Sequence, residues 1–235
     1  MENKPSCLYM IPSFLSPENT SLFPESFIKI VIGIHHFFVE NERSARRFLK
    51  ALDKSVVIDN IQFNLVNNHE KPDLNILKQW LNQGNDVGII SEAGYPCIAD
   101  PGNILVKEAH HLGAKVIPLV GPNAMLMALA ASGLNGQQFA FSGYLPVKMP
   151  ERIKALKDLE KKMMYAGETQ IFMETPYRNN ALVSDILQHC QPETLLCIAA
   201  DITSASEFIK TKKIKDWEKS VPELNKRPAV FLLGK

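Results

Sequence analysis

Short apolar runs alternate with amphipathic stretches along the first half of the chain. Leu8 to Ile11 is an apolar run stopped by Pro12, which predicts a first strand. Phe27 to Ile34 reads as a second buried strand, and Phe37 to Val39 as a third that leads into a charged helix from Glu42 to Leu52. Ile61 to Val66 is strand-like. Leu74, Leu77 and Leu81 then recur at helical spacing. Val87 to Ile90 predicts another buried strand. Asn103 is placed to cap a helix running to His111, with Gly113 ending it. Ala114 to Leu119 closes the series as a strand. Strands separated by helices in this order imply a parallel or mostly parallel sheet.

The second half has a different texture. Gly121-Pro122-Asn123 opens an alanine- and methionine-rich helix to Ser132, closed by Gly133. Strands are expected at Phe139 to Tyr144, Gln170 to Glu174, Thr194 to Ala200, Glu207 to Lys210 and Ala229 to Leu233. Between them lie helices at Glu151 to Met164, Arg178 to His189 and Ile214 to Lys219. The tighter strand spacing points to a mixed sheet. The chain therefore divides into two α/β domains, residues 1–120 with a mostly parallel sheet and residues 121–235 with a mixed one.

Composition narrows the function classes. The 235 residues are 46% hydrophobic and 22% charged, ordinary for a soluble globular protein long enough for two cores. With 26 Lys plus Arg against 25 Asp plus Glu, the net charge of +1 excludes a chain coated in positive charge for nucleic acid. No apolar run reaches membrane-spanning length, and Met1 to Pro5 lacks a signal-peptide layout, so a cytoplasmic protein is expected. Cys7, Cys97, Cys190 and Cys197 show no C-x-x-C spacing and are expected as free thiols. His35-His36 and His110-His111 are adjacent pairs that face different ways, and no metal site is expected.

The segment with the most chemistry is Ser91-Glu92-Ala93-Gly94-Tyr95-Pro96, continuing through Cys97-Ile98-Ala99-Asp100-Pro101-Gly102. It joins a buried strand to a helix. Its glycines permit close backbone approach, and its prolines stiffen the path. In open α/β sheets ligands bind outside the carboxyl ends of strands, so this is a candidate ligand loop; a plain strand-to-helix turn is the alternative. Two basic segments stand out. Lys148, Arg152, Lys154, Lys157, Lys161 and Lys162 are interrupted by Glu151, Asp158 and Glu160, which suggests a solvated helix face. The run Lys210, Lys212, Lys213, Lys215 is cleaner and is the better candidate for a phosphate contact.

At these motifs the chain resembles the tetrapyrrole methylase superfamily of S-adenosylmethionine-dependent methyltransferases. It is most similar to the branch of bacterial small-subunit ribosomal RNA cytidine 2′-O-methyltransferases. That branch carries S-D-A-G-T-P-x-I-S-D-P-G, where this chain has SEAGYPCIADPG. Pro118-Leu119-Val120-Gly121-Pro122-Asn123-Ala124 resembles its P-L-P-G-P-x-A. Phe141 to Pro146 resembles F-x-G-F-L-P, and Ile171 to Arg178 resembles I-F-Y-E-S-P-H-R. Val39 to Arg43 and Asn68-His69-Glu70 are fainter echoes of C-E-D-T-R and Y-H-E. The chain departs from the pattern at Glu92, at Tyr95 and in the stretch from Ile11 to Pro17, which has no glycine.

The resemblance implies two α/β domains with S-adenosylmethionine held in a trough between them. Carried over residue by residue, its donor contacts fall on Pro12, Glu92, Ala93, Gly94, Tyr95, Pro96, Ile98, Gly121, Pro122, Asn123, Ala124, Met173 and Ala200. Candidate proton acceptors in matched motifs are Asp100, Glu92, Glu40 and Glu174, with capping or bracing of a loop the alternative for Asp100 and Glu174. Arg43 and Arg178 are candidates to hold an acceptor phosphate or carboxylate. The implied activity is methyl transfer to RNA, a 2′-hydroxyl of ribosomal RNA or of an assembled ribosomal subunit, by a homodimer. A tetrapyrrole or other small acceptor is the alternative, as is a donor-binding protein without turnover.

Overall fold

The computed structural model describes residues 6–16, 19–66, 72–217 and 220–235. The echo at Asn68-His69-Glu70 and the end of the stretch at Pro17 lie outside the described residues. The chain forms two compact units, Met1–Asn123 and Ala124–Lys235.

Unit 1 contains β1 (Cys7–Ile11), α1 (Glu25–Ile32), β2 (His36–Val39), α2 (Glu42–Leu52), β3 (Gln62–Leu65), α3 (Leu74–Asn82), β4 (Val87–Ile90), α4 (Asn103–His111) and β5 (Lys115–Pro118). Its five strands are all parallel, in the order β3-β2-β4-β1-β5. Leaving β1 the chain moves toward β2, and leaving β4 it moves the other way, toward β5. Right-handed crossovers in opposite directions run over opposite faces of a sheet. Packing agrees. Cys7, Tyr9 and Ile11 meet Phe27 and Val31 of α1 and Phe48, Leu49 and Leu52 of α2. Leu8 and Met10 meet Leu77 and Trp80 of α3 and Leu105 and Ala109 of α4. The two-residue period of β1 thus divides its side chains between two cores.

The stretch from Phe27 to Ile34, expected as a strand, is instead mostly α1. Residues 27–34 form an apolar run broken only by Lys29 and Gly33, but a parallel neighbour of β1 cannot follow it through a tight turn; it needs a crossover segment, and this run supplies it. Pro24 at the N-cap and Glu25 in the first turn start the helix. Asn103 likewise does not cap α4: it is the first helical residue, and Gly102 at φ 123° precedes it. A Cβ at Gly102 would lie 2.9 Å from the Cys97 sulfur, so that position favours glycine twice over.

Unit 2 contains α5 (Ala124–Ser132), β6 (Phe139–Tyr144), α6 (Met149–Ala166), β7 (Thr169–Met173), α7 (Asn179–His189), β8 (Leu195–Ala200), β9 (Phe208–Lys213), α8 (Ile214–Trp217) and β10 (Ala229–Gly234). Its sheet is mixed, in the order β6-β7-β10-β8-β9, with β6 and β7 parallel and the remaining neighbours antiparallel. Phe172, Ile198 and Phe231 face Leu156 and Leu159 of α6 and Leu182, Val183 and Ile186 of α7. Trp217 is fully buried, and its indole N–H donates to the Leu196 carbonyl at 3.0 Å.

Tight packing at the middle of β4 gives a test. A Cβ built on Gly88 would come within 2.7 Å of both Ile11 and Phe37 side chains. Gly88→Ala is expected to destabilise the protein by about 1–3 kcal/mol through overpacking, measured as a lowered urea midpoint with unchanged slope.

Candidate functional site

The carboxyl ends of the parallel strands in unit 1 bring most of the matched motifs together. β4 runs into the Ser91–Gly102 loop, whose backbone is unusual. Gly94 sits at φ 74° and Gly102 at φ 123°, and Cys97 and Ala99, which are not glycines, both sit at φ 66°. Left-handed conformations at side-chain-bearing residues are costly, so surrounding contacts must impose them. One such contact is from the β1 loop: the Ser13 N–H donates to the Gly94 carbonyl at 2.8 Å, and its hydroxyl donates to the Ser91 carbonyl at 3.0 Å. The β5 loop closes in from the other side. Gly121 lies so near Pro12 that a Cβ would fall 2.2 Å from the proline Cγ. Pro12, Ser91 to Pro96, Gly121 and Pro122 therefore form one packed rim.

Tyr95, the bulky departure from the family pattern, packs against the core cluster of Leu77, Trp80 and Leu105 and is half-buried. Burial holds its hydroxyl above the ordinary tyrosine range, with the Cys97 thiol adding to the effect. Glu92, Ala93 and Ile98 stay exposed on the rim. Burial, the Asp100 charge and the Glu40 charge push the Cys97 thiol up to about 11, which keeps it protonated and unreactive.

Glu40, Glu92 and Asp100 interact electrostatically. The Glu92 N–H donates to the Glu40 carboxylate at 2.8 Å, and Ser44 of α2 donates to Glu92 Oε1 at 3.4 Å. Burial raises the Glu40 carboxyl above its usual range, the Glu92 charge adds to this, and the Glu92 N–H opposes it. Asp100 is pushed up to about 7. Burial is the main cause, the Glu40 charge reinforces it, a hydrogen bond from Ser91 opposes it, and Glu92 adds a smaller push. A carboxyl titrating near neutrality can exchange protons at physiological pH.

Beside this trio a cavity of about 230 Å³ is lined by Ser13, Phe14, Ser44, Arg47, Ser91 and Glu92, among others. Ser44 and Arg47 belong to no motif singled out in the sequence, and Ser13 lies in the departing stretch from Ile11 to Pro17 without having been assigned a role. They face one cavity because β1 and β4 end, and α2 begins, at the same rim. Arg43 is exposed on the first turn of α2, which Asn41 caps by accepting from the Ser44 N–H at 3.1 Å.

Unit 2 holds the remaining candidates. Ala124 opens α5, Met173 ends β7 half-buried, and Ala200 ends β8 fully buried in the core. Glu174 is buried, accepts from the Thr175 N–H at 2.6 Å and pairs with Arg178 at 2.6 Å. That geometry braces the β7–α7 turn and commits one guanidinium nitrogen of Arg178 to it. The lysine run near β9 is also engaged internally. Lys213 and Lys215 both reach Glu193, whose carboxyl they hold down at about 2. Lys212 lies over the Trp217 ring at 5.1 Å. Among the described residues no group of three or more His, Cys, Asp or Glu could hold a metal ion.

Two solved structures share the fold, the methyltransferase CobJ and diphthine synthase. CobJ superposes with a TM-score of 0.62 at 17% identity, covering 99% of this chain and 95% of its own. Diphthine synthase superposes with a TM-score of 0.66 at 12% identity, covering 97% and 90%. These likenesses give the fold, two α/β units, and family membership makes the protein a methyltransferase. The family model of the Tetrapyrrole (Corrin/Porphyrin) Methylases matches residues 31–218, and the chain belongs to that family. Among its relatives, the Ribosomal RNA small subunit methyltransferase I of Buchnera aphidicola subsp. Schizaphis graminum is 30% identical over 98% of this chain and 79% of its own length. The protein of the same name from Vibrio cholerae is 30% identical over 86% and 67%. That from Bacillus subtilis is 43% identical over 43% and 33%.

Asp100 makes stability depend on pH. Its carboxyl stays protonated in the folded protein up to about pH 7, whereas in the unfolded chain it ionises from about pH 4. The folded state therefore binds the extra proton across that window, and stability falls as pH rises through it. Asp100→Asn is expected to stabilise the protein at pH 8 relative to pH 5 by on the order of 1 kcal/mol, discounted for partial solvent screening. Urea unfolding at the two pH values measures the difference.

Proposed function

We propose that this methyltransferase uses S-adenosylmethionine as donor and methylates a 2′-hydroxyl of small-subunit ribosomal RNA. The observation that carries the donor reading is the packed rim of Pro12, Ser91 to Pro96, Gly121 and Pro122 at the carboxyl ends of β1, β4 and β5. Ligands of open α/β sheets bind in this position. The chemistry of the rim fits the donor: exposed loop backbone at Glu92 and Ala93, an exposed aliphatic side chain at Ile98, and three acidic groups that favour a sulfonium cation. The acceptor reading rests on the relatives named as small-subunit ribosomal RNA methyltransferases and on the motifs shared with their branch.

When bound, the donor supplies an already activated methyl group on a cationic sulfur. The chain's own task is alignment and removal of one proton. Ser13 and Gly121 fix the rim against which both partners are aligned. Asp100 is the acceptor of the hydroxyl proton, because its carboxyl titrates near neutrality and Ser91 orients it. Glu40 and Glu92 hold its affinity for that proton high. Arg43, exposed on the first turn of α2, is the group that meets an acceptor phosphate on this reading.

Calorimetry with S-adenosylhomocysteine tests the donor step, and an absence of binding at millimolar ligand would remove it. Transfer of labelled methyl from S-adenosylmethionine to isolated small ribosomal subunits tests the acceptor. Asp100→Asn is expected to lower kcat by about 100-fold, with S-adenosylhomocysteine affinity kept, and to abolish the rise in rate through about pH 7. Labelling of a tetrapyrrole with unlabelled subunits would instead indicate a small acceptor.

A further inference from the structure

The segment 148–162, interrupted by acids in sequence, sorts its charges in space. Arg152 and Glu160 of α6 both turn inward. Arg152 pairs with Asp185 at 2.6 Å, both side chains being almost fully buried, and donates to the Val147 carbonyl at 2.7 Å. Glu160 accepts from the Gln191 N–H at 2.8 Å and from the Thr194 hydroxyl at 2.6 Å. These bonds fix the rotation of α6 about its axis. Lys154, Lys157 and Lys161, at helical spacing, stay exposed, as does Lys162. Lys154 and Lys157 have no ion-pair partner among the described residues, and the Lys161–Asp158 pair is exposed and long at 4.0 Å.

The same face ends in an aromatic group. Tyr165 is 96% exposed and Met164 beside it 54%. Together with Lys157, Lys161, His189 and Gln191 they line a groove of about 700 Å³ between the ends of α6 and α7. A bare tyrosine at the end of a lysine row has no role in packing unit 2. Bases stack on exposed aromatic rings while lysines follow the phosphates, the pattern by which single-stranded nucleic acid is held. The lysine run around β9 does not compete for this role, since Lys212, Lys213 and Lys215 are engaged within unit 2.

We propose that the exposed face of α6, from Lys154 to Tyr165, binds a single-stranded segment of the RNA acceptor, with phosphates along the lysines and one base on Tyr165. This rests on the RNA reading of the acceptor. The probe is a fluorescein-labelled single-stranded RNA about ten nucleotides long, within the site sizes such surfaces cover. Binding by fluorescence anisotropy is compared for the full chain, the triple variant Lys154→Gln/Lys157→Gln/Lys161→Gln, and Tyr165→Ala. The substituted side chains are exposed, and S-adenosylhomocysteine affinity and the urea midpoint serve as controls for folding. The triple variant is expected to lose at least about 10-fold in affinity and to flatten the log–log salt dependence by about 2, given about 0.7 per phosphate neutralised on a single strand. Tyr165→Ala is expected to lose at least about fivefold, and Tyr165→Phe to restore most of it. RNA binding by the full chain that all variants keep would overturn this surface while leaving the RNA reading intact. No RNA binding by the full chain, with S-adenosylhomocysteine bound and small subunits unlabelled, would overturn both. Light scattering that shows a dimer broken by these substitutions, with RNA affinity kept, would assign the face to a second copy instead.

Discussion

The hydrogen bond from the Ser13 N–H to the Gly94 carbonyl ties the β1 loop to the β4 loop, and the arrangement of the site follows from that tie. β1 and β4 are neighbours whose outgoing connections run in opposite directions, so their loops would otherwise part. Joined at Ser13 and Gly94, and closed from the β5 side by Gly121 against Pro12, they hold a loop with four left-handed residues in one conformation. Without that tie Cys97 and Ala99 would relax toward ordinary backbone, and Asp100 would move away from Glu40.

Electrostatics at the rim depend on this geometry rather than on any single residue type. Three carboxyls from two loops converge where burial is only partial; the charges of Glu40 and Glu92 raise the proton affinity of Asp100, and that of Glu92 raises the proton affinity of Glu40. In unit 2 three acidic residues brace the packing instead. Glu160 and Asp185 meet buried donors and set helix rotation, and Glu174 accepts through one oxygen from Arg178 and the Thr175 N–H and braces its turn.

Much of this was legible in the sequence, because the signals were local. Alternating buried strands and amphipathic helices carried the two α/β architectures, and glycine–proline loops marked the rim. The errors have physical causes. Residues 27–34 have the continuous apolar character of a buried strand, and the demand for a crossover between parallel β1 and β2 makes most of them helical. Asn103 has a capping side chain, but the tight approach of Cys97 requires glycine one position earlier. Ser13, Ser44 and Arg47 share a cavity that no linear motif reveals, since three elements must fold before they meet. The two basic segments exchanged rank for a similar reason. Sequence spacing cannot show that Glu160 points into the core or that Glu193 lies between Lys213 and Lys215.

The acidic rim also bears on turnover. On the proposed reading the donor arrives with a positive sulfur and leaves as a neutral thioether. Glu40, Glu92 and Asp100 thus attract the fresh molecule more strongly than the spent one. The proton accepted by Asp100 removes one negative charge at the same moment, weakening whatever hold remains. Three carboxyls set to align one methyl transfer would in this way also favour exchange of the exhausted donor, without any moving part.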